Sequence, residues 1–117
     1  MSKIAFFFPG QGSQSVGMMN GFGDNPIIKQ TFIEASDVLG VDFWVMATEP
    51  NDLLNLTQNT QPLMLIAGVA TYRAYIEAGG LQAANNKIIA HAGHSLGEYT
   101  ALVTSNALSF AEALPLV

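Results

Sequence analysis

The chain has 117 residues, half of them hydrophobic and 11% charged, so it holds enough apolar material for a core and is not disordered. Its net charge of −5, with Lys3, Lys29, Arg73 and Lys87 as the only basic residues, excludes a phosphate-neutralising stripe and with it a nucleic-acid partner. Cysteine is absent, which removes disulfides and thiolate metal sites and fits a reducing, cytoplasmic setting.

Ile4-Ala5-Phe6-Phe7-Phe8 is a continuous apolar run closed by Pro9-Gly10. Such a run predicts a strand buried on both faces of a parallel sheet. It is too short for a signal-peptide core, and no stretch approaches the ~20 apolar residues of a membrane helix, so no membrane partner is expected. The loop Pro9-Gly10-Gln11-Gly12-Ser13-Gln14 follows. Asn25-Pro26 then marks a helix start, with Asn25 as N-cap and Pro26 in the first helical position. Ile28, Phe32, Ala35 and Leu39 continue at helical spacing until Gly40.

A short helical piece is expected near residues 52–56. Thr60-Gln61-Pro62 reads as a second helix start, followed by a long pattern through Leu63, Ile66, Ala67, Ala70 and Ala74 to Gly79-Gly80. Residues 87–92 read as a second buried strand, leading through Gly93-His94-Ser95-Leu96-Gly97 into a helix from about Glu98 to Ser105. Ser109-Phe110-Ala111-Glu112 has capping-box spacing and opens a last helix, which Pro115 is expected to bend. Strand, helices, strand, helices is an α/β order. Two strands are legible against about five in an ordinary sheet, so the expectation is an incomplete domain over residues 1–117.

Gly-x-Ser-x-Gly between a strand and a helix is the nucleophile-elbow pattern. A serine on such a turn projects its hydroxyl from the sheet edge, and Gly93 and Gly97 leave the room that side chains would fill. The following helix N-terminus favours negative charge there, and the N–H of Leu96 is a candidate oxyanion donor. A bare Gly-rich turn is the rival reading, and the strand and helix on either side speak against it. Neither histidine suits the general base. His91 lies four residues back on the strand, and His94 precedes the serine, where neighbouring side chains point to opposite sides. His91 is expected to be structural. The first loop permits close backbone approach, so the N–H of Gln11 could be a second donor, although on the residues of this loop alone an ordinary Gly-rich turn is the favoured reading.

Taken together, Phe8-Pro9-Gly10-Gln11-Gly12-Ser13-Gln14, Thr60-Gln61-Pro62 and Gly93-His94-Ser95-Leu96-Gly97-Glu98-Tyr99 resemble the acyltransferase family of fatty-acid and polyketide synthesis. Within it the resemblance is to the free-standing bacterial malonyl transacylases, and it runs along the whole chain in order. The first motif begins within ten residues of Met1, which suits a discrete enzyme better than a megasynthase module.

The resemblance implies a partial α/β-hydrolase-like parallel sheet flanked by helices, ending before a ferredoxin-like small subdomain. It implies Ser95 as the residue that takes malonyl from malonyl-CoA and passes it to the phosphopantetheine thiol of acyl carrier protein, with no bound cofactor and no metal. Gln11 and Leu96 would be the oxyanion donors. Gln61 would face the site, with a helix cap as its rival role, and His94 would be a pocket residue. The family's carboxylate-pairing arginine and catalytic histidine would lie beyond Val117. Arg73, the sole arginine, is expected to be solvated on an earlier helix. The chain alone is therefore expected to be marginally stable and nearly inactive, with a complementing C-terminal segment among its partners. A serine esterase or thioesterase on the same elbow, and a non-catalytic fragment that binds acyl carrier protein, are the alternatives.

Overall fold

The computed structural model describes residues 3–12, 14–79 and 87–117. Strand β1 (Lys3–Phe8) is followed by α1 (Pro26–Leu39), α2 (Phe43–Thr48) and α3 (Thr57–Glu77). Then come β2 (Lys87–Gly93), α4 (Gly97–Thr104) and α5 (Phe110–Ala113), which runs into a 3-10 turn over Leu114–Leu116. The strands pair in parallel, Phe6 opposite His91 and Phe8 opposite Gly93, with one irregularity between Ile4 and Ala5. The helices between them form the crossover that a parallel pair requires. Ser13 of the first loop and Gly80 of the expected helix stop lie outside the described residues, as does the expected burial of the side chains at 87–89.

The first helix forms as its sequence dictates. Asn25 Oδ1 accepts the N–H groups of Ile27 at 2.9 Å and Ile28 at 3.4 Å, Pro26 opens the helix, and Gly40 closes it in the left-handed region at φ 72. Helix α2 was not among the expected elements. Asp42 caps it by accepting the Val45 N–H at 3.1 Å, and it buries Phe43, Met46 and Ala47 at i, i+3 and i+4. An acidic cap before that apolar spacing was the available signal.

Helix α3 begins at Thr57, upstream of the expected start at Thr60-Gln61-Pro62. The Thr60 hydroxyl does not cap forward. It reaches back to the carbonyls of Leu54 and Leu56, and the side chain is fully buried, so the turn before it is drawn into the helix. Pro62 therefore lies inside a helix, where its missing N–H forfeits one backbone bond. Leu63, Leu65, Ile66, Val69 and Ala70 are each at most 1% exposed, which makes α3 the central helix, covered nearly all round.

Arg73 is solvated only in part, its side chain 35% exposed. Its Nη1 donates to Glu34 at 2.9 Å and to Thr31 at 3.3 Å, and its guanidinium lies 4.9 Å from the centre of the Phe110 ring. It ties α1, α3 and α5 together, and the planar fork suits both the carboxylate and the ring.

The expected two-sided burial of the strands is also corrected. Phe6 packs edge-on against Tyr72 and Tyr75 of α3, with centroids 5.0 and 5.4 Å away, and stacks on His91 at 5.8 Å. The opposite face carries Ala5 and Phe7 beside Ala90 and Ala92, and Phe7 is 79% exposed. Successive strand residues face opposite ways, and helices α3 and α4 both lie on the Phe6 side. An apolar run reads alike whether one or both faces are covered.

The isolated chain is expected to bind a hydrophobic dye and to self-associate through the Phe7 face. Phe7→Lys should reduce both while changing stability by less than ~0.5 kcal/mol. Phe32→Ala, at a fully buried site, should cost ~3–5 kcal/mol. Denaturant midpoints with dye fluorescence and sedimentation would check this, and a monodisperse, dye-free parent chain would contradict it.

Candidate active site

The last residue of β2, Gly93, and the first of α4, Gly97, bracket a three-residue corner of His94, Ser95 and Leu96. Ser95 sits in the left-handed region at φ 56, one of two non-glycine residues there among those described. Such a conformation costs ~1–3 kcal/mol in an L-residue and persists only where the surroundings enforce it. Here the enforcement is backbone contact. A Cβ on Gly93 would fall 2.0 Å from the Gly97 carbonyl, and one on Gly97 would fall 2.0 Å from the Phe8 carbonyl oxygen. Neither can exist, so both glycines are dictated by closeness rather than by turn preference.

The corner is therefore seated on the end of β1. The His94 N–H donates to the Phe8 carbonyl at 3.3 Å, and the Gly97 N–H donates to the His94 carbonyl at 3.0 Å. Glu98 and Tyr99 donate to the carbonyls of Ser95 and Leu96 at 3.0 and 2.9 Å, starting α4. Among the described residues, the N–H groups of Ser95 and Leu96 have no backbone acceptor. The Leu96 side chain is buried while Ser95 is exposed, so the hydroxyl is presented outward at the head of a helix.

The first loop meets this corner directly. A Cβ on Gly10 would lie 2.9 Å from the His94 carbonyl oxygen, 3.5 Å from Ser95 Cβ and 3.7 Å from the Leu96 nitrogen. Gln11 thus follows a residue in contact with the serine turn. Its own side chain is engaged with α3, where Nε2 donates to Thr57 Oγ1 at 3.3 Å. Gln61 is half-buried on α3, on the face that also carries Met64 and Gly68. Gly68 in turn abuts Thr100 and Phe8, and a Cβ there would meet Thr100 Cγ2 at 2.7 Å. This places Gln61 on the face turned toward β1 and α4, with no hydrogen bond to Ser95.

His94 is exposed beside the serine. His91 is held elsewhere. Its Nδ1 lies 2.8 Å from Thr104 Oγ1 near the end of α4, and its ring stacks on Phe6 and lies 5.5 Å from Tyr72. Burial pushes the imidazole below its ordinary pKa and the Tyr72 phenol above its own. Thr104, Thr57 and Asn55 are contacts that only the fold reveals. Their partners are distant in the chain, and no local spacing marks them. No group of three or more His, Asp or Glu side chains able to hold a metal ion occurs among the described residues.

A profile of the acyl transferase domain family matches residues 5–117. The chain is 48% identical to the malonyl CoA-acyl carrier protein transacylase of Salmonella typhimurium over 119 aligned residues, which cover all of this chain and 37% of that protein. A crystal structure of an acyl-carrier-protein S-malonyltransferase from Burkholderia pseudomallei is 56% identical with a TM-score of 0.86, over 99% of this chain and 36% of that one. A malonyl-transacylase in complex with its type II polyketide acyl-carrier protein is 44% identical with a TM-score of 0.88, again over 99% and 36%. The chain thus spans little more than a third of the length of these relatives.

Two outcomes follow from the geometry of the corner and of His91. Ser95→Gly relieves the left-handed strain and should be more stable than Ser95→Ala by ~1 kcal/mol in chemical denaturation. The folded pKa of His91 lies below its unfolded value of about 6.5, so the unfolded chain binds more protons in that range. The contribution of His91 to stability is therefore full above about pH 6.5 and falls as pH drops toward the folded value. Melting curves from pH 7.5 to 5.5 should show this slope, and His91→Gln should flatten it. An unchanged slope in that variant would assign the pH dependence to other groups.

Proposed function

The chain belongs to the acyl transferase domain family, and on that premise we propose that it carries the nucleophilic serine of a malonyl-CoA:acyl carrier protein transacylase. The observation that supports this reading is Ser95, exposed at φ 56 on a strand-to-helix corner, with the first loop packed against it. In the first half-reaction Ser95 Oγ attacks the thioester carbonyl of malonyl-CoA. The C–S bond breaks, coenzyme A leaves as the thiol, and malonyl remains as a serine ester. In the second, the phosphopantetheine thiol of acyl carrier protein attacks that ester, the C–O bond breaks, and Ser95 regains its proton. Each half passes through a tetrahedral oxyanion, for which the N–H groups of Leu96 and Gln11 are the donors. Gly93 and Gly97 hold the turn, and Gln61 and His94 border the pocket.

The serine proton needs a base that His91, engaged with Thr104, does not supply. In this reading a C-terminal segment brings a histidine for that proton and an arginine for the malonyl carboxylate, a pairing that bidentate geometry favours. The setting is cytoplasmic, and neither metal nor redox cofactor enters the chemistry. By itself the chain transfers little or no malonyl.

The test completes the enzyme by joining residues 1–117 to the remaining C-terminal part of the 56%-identical B. pseudomallei protein. With malonyl-CoA, intact mass should show one malonyl adduct, mapped to the peptide with Ser95 and discharged by holo acyl carrier protein. Ser95→Ala should abolish the adduct and lower transfer by at least ~10³-fold. An adduct that survives Ser95→Ala would overturn the nucleophile. Release of malonate without transfer would favour the hydrolytic alternative.

A further inference from the structure

The loop that carries Gln11 is held from two sides. Its inner side rests on the serine corner through Gly10, whose place for a Cβ lies 2.9 Å from the His94 carbonyl oxygen. Its outer side is tied to the turn that leads into α3. Gln11 Nε2 donates to Thr57 Oγ1 at 3.3 Å, and Gln14 Nε2 donates to Asn55 Oδ1 at 3.2 Å. Gln14 also turns inward, and its Oε1 accepts the Gly12 N–H at 2.8 Å. Gly12 is in a left-handed conformation at φ 112, which the Gln14 amide thereby stabilises.

The outer anchor is itself firm. Leu54 is 3% exposed and Thr60 fully buried, and the Thr60 hydroxyl bonds the carbonyls of Leu54 and Leu56 on either side of Asn55. Asn59 Nδ2 donates to the Leu53 carbonyl at 3.0 Å, and Asn51 Oδ1 accepts the Leu53 N–H at 2.9 Å. The short turn bearing Asn55 and the start of α3 at Thr57 are thus fixed by the core, and they present two acceptors to the loop. An exposed amide-to-hydroxyl bond contributes little to overall stability. Its consequence here is positional, because a backbone N–H serves an oxyanion only within a narrow distance.

We propose that Thr57 and Asn55 are positioning residues for acyl transfer: through the side chains of Gln11 and Gln14 they hold the Gln11 N–H against the Ser95 corner. This rests on the transacylase reading above. It adds that the oxyanion donor on the first loop is kept in place by the α3 lead-in, not by the loop alone.

The completed enzyme described above serves for the test, with malonyl transfer to holo acyl carrier protein as the assay. Thr57→Val removes the acceptor at nearly constant shape and should lower kcat about tenfold, a modest loss of alignment. KM for malonyl-CoA and the melting temperature should stay unchanged. Thr57→Ser keeps the hydroxyl and should restore kcat. Gln11→Ala retains the backbone N–H but loses the tether, so it should match Thr57→Val, and the double variant should be no slower than either. Asn55→Leu should reproduce the kcat loss by releasing Gln14. Unchanged kcat in Thr57→Val and Asn55→Leu, or additive losses in Thr57→Val with Gln11→Ala, would overturn the positioning role while leaving the Ser95 reading in place. A parent enzyme that forms no malonyl ester at Ser95 would overturn that reading, and this inference with it.

Discussion

The site depends on one backbone contact, that of Gly97 with the carbonyl end of β1. Parallel pairing brings Phe8 level with Gly93, so both strands finish at the same edge of the sheet. The loop after β1 and the turn after β2 leave from that edge, where open α/β sheets gather their chemistry. The turn can fold back onto Phe8 only because residues 93 and 97 lack side chains. That closeness holds Ser95 in a conformation it would not choose, and it sets Gly10 beside it. Two unrelated stretches of sequence thus become one surface through packing too tight for a methyl group.

The second support is α3. Its apolar residues face α1 on one side and the Phe6–His91 face of the sheet on the other. Arg73 braces this sandwich laterally, and the His91–Thr104 contact links β2 to the far end of the helix that Ser95 heads. The helix starting at Gly97 is thereby fixed at both ends, by backbone contact at one and by an imidazole at the other. Burial of that imidazole disfavours its charged form.

Much of this was legible because the deciding chemistry is local. Asn25-Pro26 with Gly40, Ser109 with Glu112, and Gly93-x-Ser95-x-Gly97 each act within a few residues, and each appears where the sequence places it. Thr60-Gln61-Pro62 misled because a threonine before proline is the usual look of a cap. Burial turned its hydroxyl the other way. The solvent-facing side of β1 was illegible for another reason. Phenylalanine at 6, 7 and 8 carries no alternation, so nothing in it distinguishes a covered face from a bare one. Arg73 and the Gln11–Thr57 tether share a third cause. Their partners lie 39 and 46 residues away in the chain, and only the fold brings them within reach.

The pairing of Lys3 with Lys87 also orders events in time. A chain made from its N-terminus exposes Ile4, Phe6 and Phe8 long before the strand that pairs with them exists. Helices α1 to α3 emerge first and can associate through contacts near in sequence, whereas the sheet must await the closure of a long loop. The left-handed serine turn, which is seated on the end of β1, cannot close before that pairing partner has been made. Until residue 87 has been made, the apolar run of β1 has no strand to pair with.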